Sequence, residues 1–177
     1  MLRCVTAFDD LLAANAEYAA AFEHSGLTGK AARGLAVVTC MDSRIDPLGL
    51  LGLRPGDAKI LRNAGARVTD DVLRTLVLAV FLLGVERVLG MPHTDCGMTK
   101  VTDADVHELT ARRGVDTRSL DFHTIPDQEK ALRHDLVKIR SCPFLPPGMP
   151  VGGAVYDVRT GRLQPVDLGA SFSSAPA

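Results

Sequence analysis

No excess of charge of either sign marks this 177-residue sequence, in which Lys and Arg total 20 against 21 Asp and Glu. Neither half carries a basic run or the interleaving of aromatics with Arg that lines a groove for single-stranded nucleic acid, so nucleic acid is not an expected partner. No apolar run is long enough for a bilayer. The most apolar segment, Leu76 to Val85, is flanked by Arg74 and Glu86 and is about half the ~20 residues a spanning helix needs, so it reads as a buried helix and no membrane association is expected. The opening residues MLRCVTAFDD lack the basic segment, apolar stretch and small-residue cleavage site of a secretory leader, and a cytoplasmic location is expected. Cysteine is scarce. The four present, Cys4, Cys40, Cys96 and Cys142, lack the density and spacing of a disulfide-stapled secreted domain. In a reducing compartment such residues are metal ligands or inert core. There is no internal repeat and no dividing linker, and the length suffices to bury a core, so one domain spanning 1–177 is expected.

Local patterns then divide the chain into elements. Residues 7 to 24 are Ala-rich with apolar residues at helical intervals, followed by Gly26 and Gly29 as stop signals; within an arm of residues 1–30 they predict an N-terminal helix. LAVVTC at 35 to 40 is short, continuously apolar and β-branched, as a strand buried on both faces requires. A turn-rich stretch with Pro47, Pro55 and Gly56 leads to a second strand at Ala58 to Leu61, with Asn63, Ala64 and Gly65 as its exit loop. Asp70 to Gly84 predicts a long apolar helix capped by Thr69 or Asp70, and Glu86 to Met91 a third strand running into Pro92 and His93. Polar helices are expected at about Asp103 to Arg113 and Pro126 to Ile139, the second opening with Pro at an early position. Val151 to Val158 and Arg162 to Val166, joined through Arg159, Thr160 and Gly161, read as a β-hairpin, and the Ser, Ala and Pro tail (168–177) is expected to fray. Strands alternating with helices imply an α/β fold with a mostly parallel central sheet flanked by helices and extended by a C-terminal hairpin strand.

Cys40 and His93 each fall at or just beyond the carboxyl end of a predicted parallel strand, where open α/β sheets place their sites. His93-Thr94-Asp95-Cys96 puts two donors at a spacing at which both can face one ion. With Cys40 they make the Cys₂His set that suits zinc and leaves a fourth tetrahedral position open. A His-x-x-Cys segment arises often by chance, and a single buried Cys is usually a small hydrophobe; joint placement at strand ends strengthens both. In Cys40-Met41-Asp42-Ser43-Arg44, Asp42 lies close to the proposed ligand and Arg44 close enough to hold its carboxylate. On local sequence an ordinary turn with a solvated ion pair is an equal reading. Cys4 and Cys142 lack partners and read as inert packing, while His24, His107, His123 and His134 read as surface or capping residues, one of which could pass protons to solvent.

Cys40-x-Asp42-x-Arg44, then Arg62-Asn63-Ala64-Gly65, then His93-x-x-Cys96-Gly97 resemble the ordered signature of β-class carbonic anhydrases, and Tyr156-Asp157-Val158-x-Thr160-Gly161 resembles that family's terminal hairpin. The match runs from about residue 33 to 166. The resemblance implies an α/β zinc enzyme, with one Zn²⁺ per chain, that interconverts carbon dioxide and bicarbonate through attack by zinc-bound hydroxide. It implies a homodimer or higher homo-oligomer in which the N-terminal helix packs on the partner subunit. Carried over by position, Cys40, His93 and Cys96 match the zinc ligands and Asp42 and Arg44 the catalytic pair; Asn63, Ala64, Gly65 and Gly97 are weaker candidates for the substrate pocket. Some family members switch to a closed form with the aspartate on the metal. Two departures stand out: Pro92 precedes the ligand His, and the absence of Trp excludes the Trp-containing regulatory bicarbonate site that some members carry. Hydrolysis of carbonyl sulfide or carbon disulfide on the same site is the alternative reaction, and a non-catalytic zinc module is the alternative of another class.

Overall fold

The computed structural model describes residues 7–167; Cys4 and residues 168–177, with the expectations made for them, lie outside the described residues. The strands are Leu35–Cys40 (β1), Ala58–Asn63 (β2), Arg87–Met91 (β3), Val151–Tyr156 (β4) and Leu163–Pro165 (β5), and the helices are Asp9–Ala20 (α1), Pro47–Leu50 (α2), Asp70–Leu83 (α3), Asp103–Ala111 (α4) and Gln128–Arg140 (α5). The sheet order is β2-β1-β3-β4-β5. β1 pairs in parallel with β2 and β3, and β3 with β4, while β5 returns antiparallel to β4. This is the mostly parallel α/β sheet with a terminal hairpin that the alternation of patterns implies. No helix among the described residues is long and apolar enough to cross a membrane.

Element boundaries follow local chemistry. β1 has five of its six residues buried, as expected for a strand flanked on both sides by parallel neighbours. In α3 the Thr69 side chain accepts from the Val72 N–H, Asp70 and Asp71 sit in the first turn, and Gly84 ends the helix in the left-handed region at φ 72°. Those are the favoured residues for each position. α5 begins at Gln128 rather than at Pro126, because the Asp127 carboxylate accepts from the Lys130 N–H and takes the cap. β2 runs two residues beyond its apolar stretch, to Asn63, since pairing with β1 continues through Arg62 and Asn63. The four-residue α2, with Pro47 at its start, is too short to leave a helical period in the sequence.

The sheet is covered unequally. On one face Ala36, Val38 and Val88 pack with Leu76 of α3 and Leu136 and Ile139 of α5. On the other, Val37 and Met91 meet Ile45, Ala66 and Cys96, with Leu35, Ile60, Leu89, Tyr156 and Leu163 left partly exposed around them. α1 buries none of its residues, and its Leu11, Leu12 and Tyr18 are more than half exposed.

α5 lies unusually close to the sheet because Gly90 and Gly153 are register partners on β3 and β4. A Cβ at Gly153 would come within 2.7 Å of Leu136 and one at Gly90 within 2.9 Å of it. Strand propensity on its own favours Val over Gly, but the crowding against buried Leu132 and Leu136 decides the sign. Gly153→Val is therefore expected to destabilise the fold by about 1–3 kcal/mol, measurable as a lowered midpoint in denaturant unfolding.

Candidate metal centre

β1 and β3 are neighbours whose onward connections run to opposite sides of the sheet, β1 toward β2 and β3 toward β4. Such a reversal opens a crevice beyond the carboxyl ends of the two strands. Cys40 is the last residue of β1, and His93 follows β3 by two residues. Parallel register pairs Thr39 with Met91, and the Thr39 hydroxyl donates to the Met91 carbonyl at 2.7 Å, which locks the two strand ends side by side. The Sγ atoms of Cys40 and Cys96 and a ring nitrogen of His93 then lie within 4.8 Å of one another. All three residues are at most 4% exposed.

The tautomer of His93 is set by the chain itself. Nδ1 lies 2.9 Å from the Thr94 carbonyl, which can only accept, so Nδ1 carries the proton and Nε2 presents its lone pair toward the sulfurs. Nε2 is buried with no hydrogen-bond partner. A buried polar atom left in this way signals a missing partner, and two facing thiols make a cation the fitting one. Protons and a cation compete for these donors. The Cys96 thiol, above all, and then the His93 ring and the N–H groups of Gly65 and Asp42 stabilise the Cys40 thiolate against burial and lower its pKa. The bond to Cys40, followed by burial, pushes Cys96 upward. Burial opposes a charged His93 ring, yet the neighbouring Cys40 thiolate outweighs it and raises the His93 pKa. One buried pocket thus favours at least one thiolate, and a dication satisfies all three donors together.

Beside this cluster lies the Asp42 and Arg44 pair. Asp42 Oδ1 accepts from the Arg44 backbone N–H and Nε, both at 2.9 Å, and Oδ2 accepts from Nη2 at 2.8 Å. The carboxylate is therefore gripped on both oxygens while Oδ2 stays 3.7 Å from His93 Nε2. The side-chain and backbone bonds from Arg44 hold the Asp42 pKa well below the usual carboxylate range. Arg44 is held in turn: Nη1 donates to Asp95 Oδ2 at 3.0 Å and Nη2 to the Asp95 carbonyl at 3.2 Å. Asp95, in the left-handed region at φ 58°, also accepts from Lys100.

The weaker candidates separate. Gly65 is buried, its N–H donates to Cys40 Sγ at 3.4 Å, and its φ of 79° and the 2.7 Å approach of Ile125 to a notional Cβ leave no room for a side chain. Asn63 and Ala64 belong to the same turn, but both polar atoms of Asn63 are bound to the Arg67 backbone, at 2.7 and 2.8 Å. Gly97 is exposed, with open space where a side chain would go. Pro92 does not divert the loop: its carbonyl accepts from the Tyr156 N–H at 2.9 Å, and β-type pairing continues to His93. Among the described residues, His107 bonds to Thr117, and His123 and His134 lie beside Asp121 and Asp135; none joins the cluster. Cys142 is buried among core residues.

Several contacts around the cluster left no mark in the sequence, although Arg62 itself stands in the Arg62-Asn63-Ala64-Gly65 motif. Arg62 donates to the carbonyls of Cys40 at 2.9 Å and Asp42 at 2.6 Å, holding the exit from β1. Asp95 looks like a spacer inside His-x-x-Cys, and nothing local shows that it reaches Arg44. Gln128 of α5 donates to the His93 carbonyl at 2.7 Å.

The Asp42 and Arg44 pair has a measurable pH consequence. A depressed folded-state pKa contributes stability above the unfolded value, about 4, which is lost as pH falls through the lowered folded value. In the chelator-stripped protein, Arg44→Met should return Asp42 to titration near pH ~4, seen as an upward shift of its carboxyl ¹³C midpoint in NMR, and should remove that part of the acid sensitivity.

The carbonic anhydrase family profile matches residues 35–163. Beta-carbonic anhydrase 1 of Mycobacterium tuberculosis is 36% identical over 162 residues, covering 92% of this chain and 99% of that protein. A carbon disulfide hydrolase of Acidianus sp. is 30% identical over 156 residues, covering 75% of this chain and 76% of the relative. The crystal structure of a carbonic anhydrase from Streptococcus mutans superposes with a TM-score of 0.87 at 40% identity, covering 94% of this chain and all of that one. With the matched region taking in Cys40, Asp42, Arg44, His93 and Cys96 and the sheet that assembles them, the chain belongs to the β-carbonic anhydrase family of enzymes.

Proposed function

We propose that this chain is a zinc enzyme that interconverts carbon dioxide and bicarbonate, with Cys40, His93 and Cys96 as the metal ligands and Asp42 and Arg44 as the catalytic pair. The observation that carries the reading is the buried, partnerless Nε2 of His93 facing two cysteine sulfurs, next to a carboxylate that an arginine holds off the donors. Three protein donors leave a tetrahedral ion with one open position, as catalysis needs and a purely structural site does not. That argues against a non-catalytic zinc module. Zinc held by Cys40, His93 and Cys96 would supply a Lewis acid, the chemistry that makes a hydroxide nucleophile available near neutral pH.

The chain's own groups do the rest. The two thiolates cancel the ion's double charge, so proton loss from bound water is harder than beside three neutral imidazoles, and activity is expected to rise toward alkaline pH. The Thr94 carbonyl keeps His93 in its ligating tautomer. Asp42 accepts a hydrogen bond from the oxygen nucleophile and orients it. Arg44 keeps Asp42 from taking the open position itself. The turn of Asn63, Ala64 and Gly65, together with Gly97, frames the approach of a small linear substrate, Asn63 acting through the shape of the turn.

A second reaction is favoured by a specific similarity. Carbon disulfide hydrolases are relatives at 30% identity, and carbonyl sulfide and carbon disulfide are linear heterocumulenes open to the same nucleophilic attack. The assembly proposed is a homodimer or larger homo-oligomer. Supporting it are the exposed apolar residues of α1 and a groove of about 690 Å³ between α3 and the end of α5, lined by Leu73, Val77, Leu78 and Phe144. Reduced, buried cysteines suit the cytoplasm.

Stopped-flow CO₂ hydration with zinc analysis on the same samples should give about one zinc per chain and turnover that rises with pH, both lost in Cys96→Ala. Zinc retained without CO₂ turnover at any pH, together with sulfide release from carbonyl sulfide or carbon disulfide, would replace the reading by the sulfur reaction. Leu11→Glu with Leu12→Glu should shift the species in sedimentation velocity to the monomer; an unchanged mass would remove α1 from the interface.

A further inference from the structure

One helix touches both sides of the donor cluster. Asp135 of α5 is 2% exposed, the one acidic side chain buried to this extent among the described residues. Its carboxylate accepts from Arg67 Nε at 2.7 Å and Nη2 at 3.2 Å and from the Val68 N–H at 3.0 Å. Arg67 also donates to the His123 carbonyl through Nη1 at 3.0 Å, and its backbone is bracketed by the Asn63 amide. The residues so enclosed are Ala64 to Ala66, the turn whose Gly65 N–H donates to Cys40 Sγ. Seven residues earlier on α5, two turns back on the same face, Gln128 donates to the carbonyl of His93. On the same helix Leu132 and Leu136 press against the glycines of β3 and β4, so the sheet sets the height of the helix and the helix sets the two loops.

We infer that Gln128 and Asp135 are positioning residues for the metal donors, Asp135 acting through Arg67 and the Gly65 turn on Cys40, and Gln128 acting on His93. The inference rests on the metal reading above but concerns residues outside the ligand set and the catalytic pair. Its physical content is directional. The N–H···S bond at 3.4 Å has the ordinary length for a sulfur acceptor, and a slide of the turn away from Cys40 weakens it, leaving the thiolate with less support and a less defined rotamer. Gln128 likewise fixes the loop carbonyl next to the imidazole, and with it the angle at which Nε2 meets the sulfurs. Outer-shell partners of this kind typically contribute about 10–100-fold in metal affinity or activity.

A structural role alone is the competing account, since Asp135 also ties Val68, at the approach to α3, to α5. The two accounts differ in what moves when the bonds are cut. Gln128→Ala and Asp135→Asn are compared with the wild type in zinc release to a chromogenic chelator, in the thiolate-to-metal absorption of the cobalt-substituted protein, and in thermal unfolding of the chelator-stripped protein. The inference expects zinc release roughly tenfold or more faster in both variants, with a shifted cobalt absorption, at temperatures where the stripped proteins remain folded. Wild-type release rates and cobalt spectra in both variants, with only the melting temperature of Asp135→Asn lowered, would overturn it. Should Asp135→Asn fail to fold, Gln128→Ala, whose side chain is half-buried and makes a single bond to the loop, decides by the same readouts. A wild-type protein that holds no zinc at all would overturn the metal reading first and this inference with it.

Discussion

Two cysteine sulfurs and an imidazole nitrogen lie within 4.8 Å of one another, all on buried residues, and that crowding is the constraint around which the rest is arranged. Buried thiols and an unpartnered Nε2 are unfavourable neighbours unless charge is balanced, because a low-dielectric surrounding penalises each lone charge. A dication resolves the conflict with one positive centre. The surrounding bonds serve the same end: N–H groups point at Cys40, a carbonyl fixes the His93 tautomer, and the nearest carboxylate is held by a guanidinium.

That arrangement depends on strand register more than on any single contact. Moving β3 by one residue against β1 would reverse which face each of its side chains occupies and would shift His93 along the crevice relative to Cys40. The Thr39 to Met91 bond and the continuous parallel pairing resist such a slip. The same register places Gly90 opposite Gly153, so α5 can lie close enough for Asp135 to reach Arg67 and for Gln128 to reach the His93 carbonyl. Packing density on one face of the sheet thus determines geometry at its end.

Much of the fold was legible because the signals were local. β1 appears as an unbroken β-branched run, α3 carries Thr69 as cap and Gly84 as stop, and the terminal hairpin has its Gly161 turn. Each is decided by residues within a few positions. Several boundaries shifted: α1 spans only Asp9–Ala20, α4 ends at Ala111 and β4 at Tyr156, while pairing or capping set two others, β2 extending to Asn63 because β1 continues beside it and α5 starting after Pro126 because Asp127 takes the cap. The convergence of Cys40, His93 and Cys96 and the pairing of Asp42 with Arg44 were also legible, through strand-end placement and the resemblance of the ordered motifs, although each segment by itself had an ordinary local reading. Asp95, Gln128 and Asp135 were not, and Arg62 was legible as part of its motif but not by its contacts, because each acts on a group far away in sequence and each is an ordinary polar residue in its local setting.

The sequence by itself determined the strand and helix pattern, the donor types and their order along the chain, because propensity, capping and ligand chemistry act over short range. The tertiary structure alone decided which donors meet and at what separation. It decided which carboxylate Arg44 holds besides Asp42, and which helix supports the loops. The physical reason is that these are distances between segments remote in sequence, set by parallel register and by how closely a helix can approach two glycines.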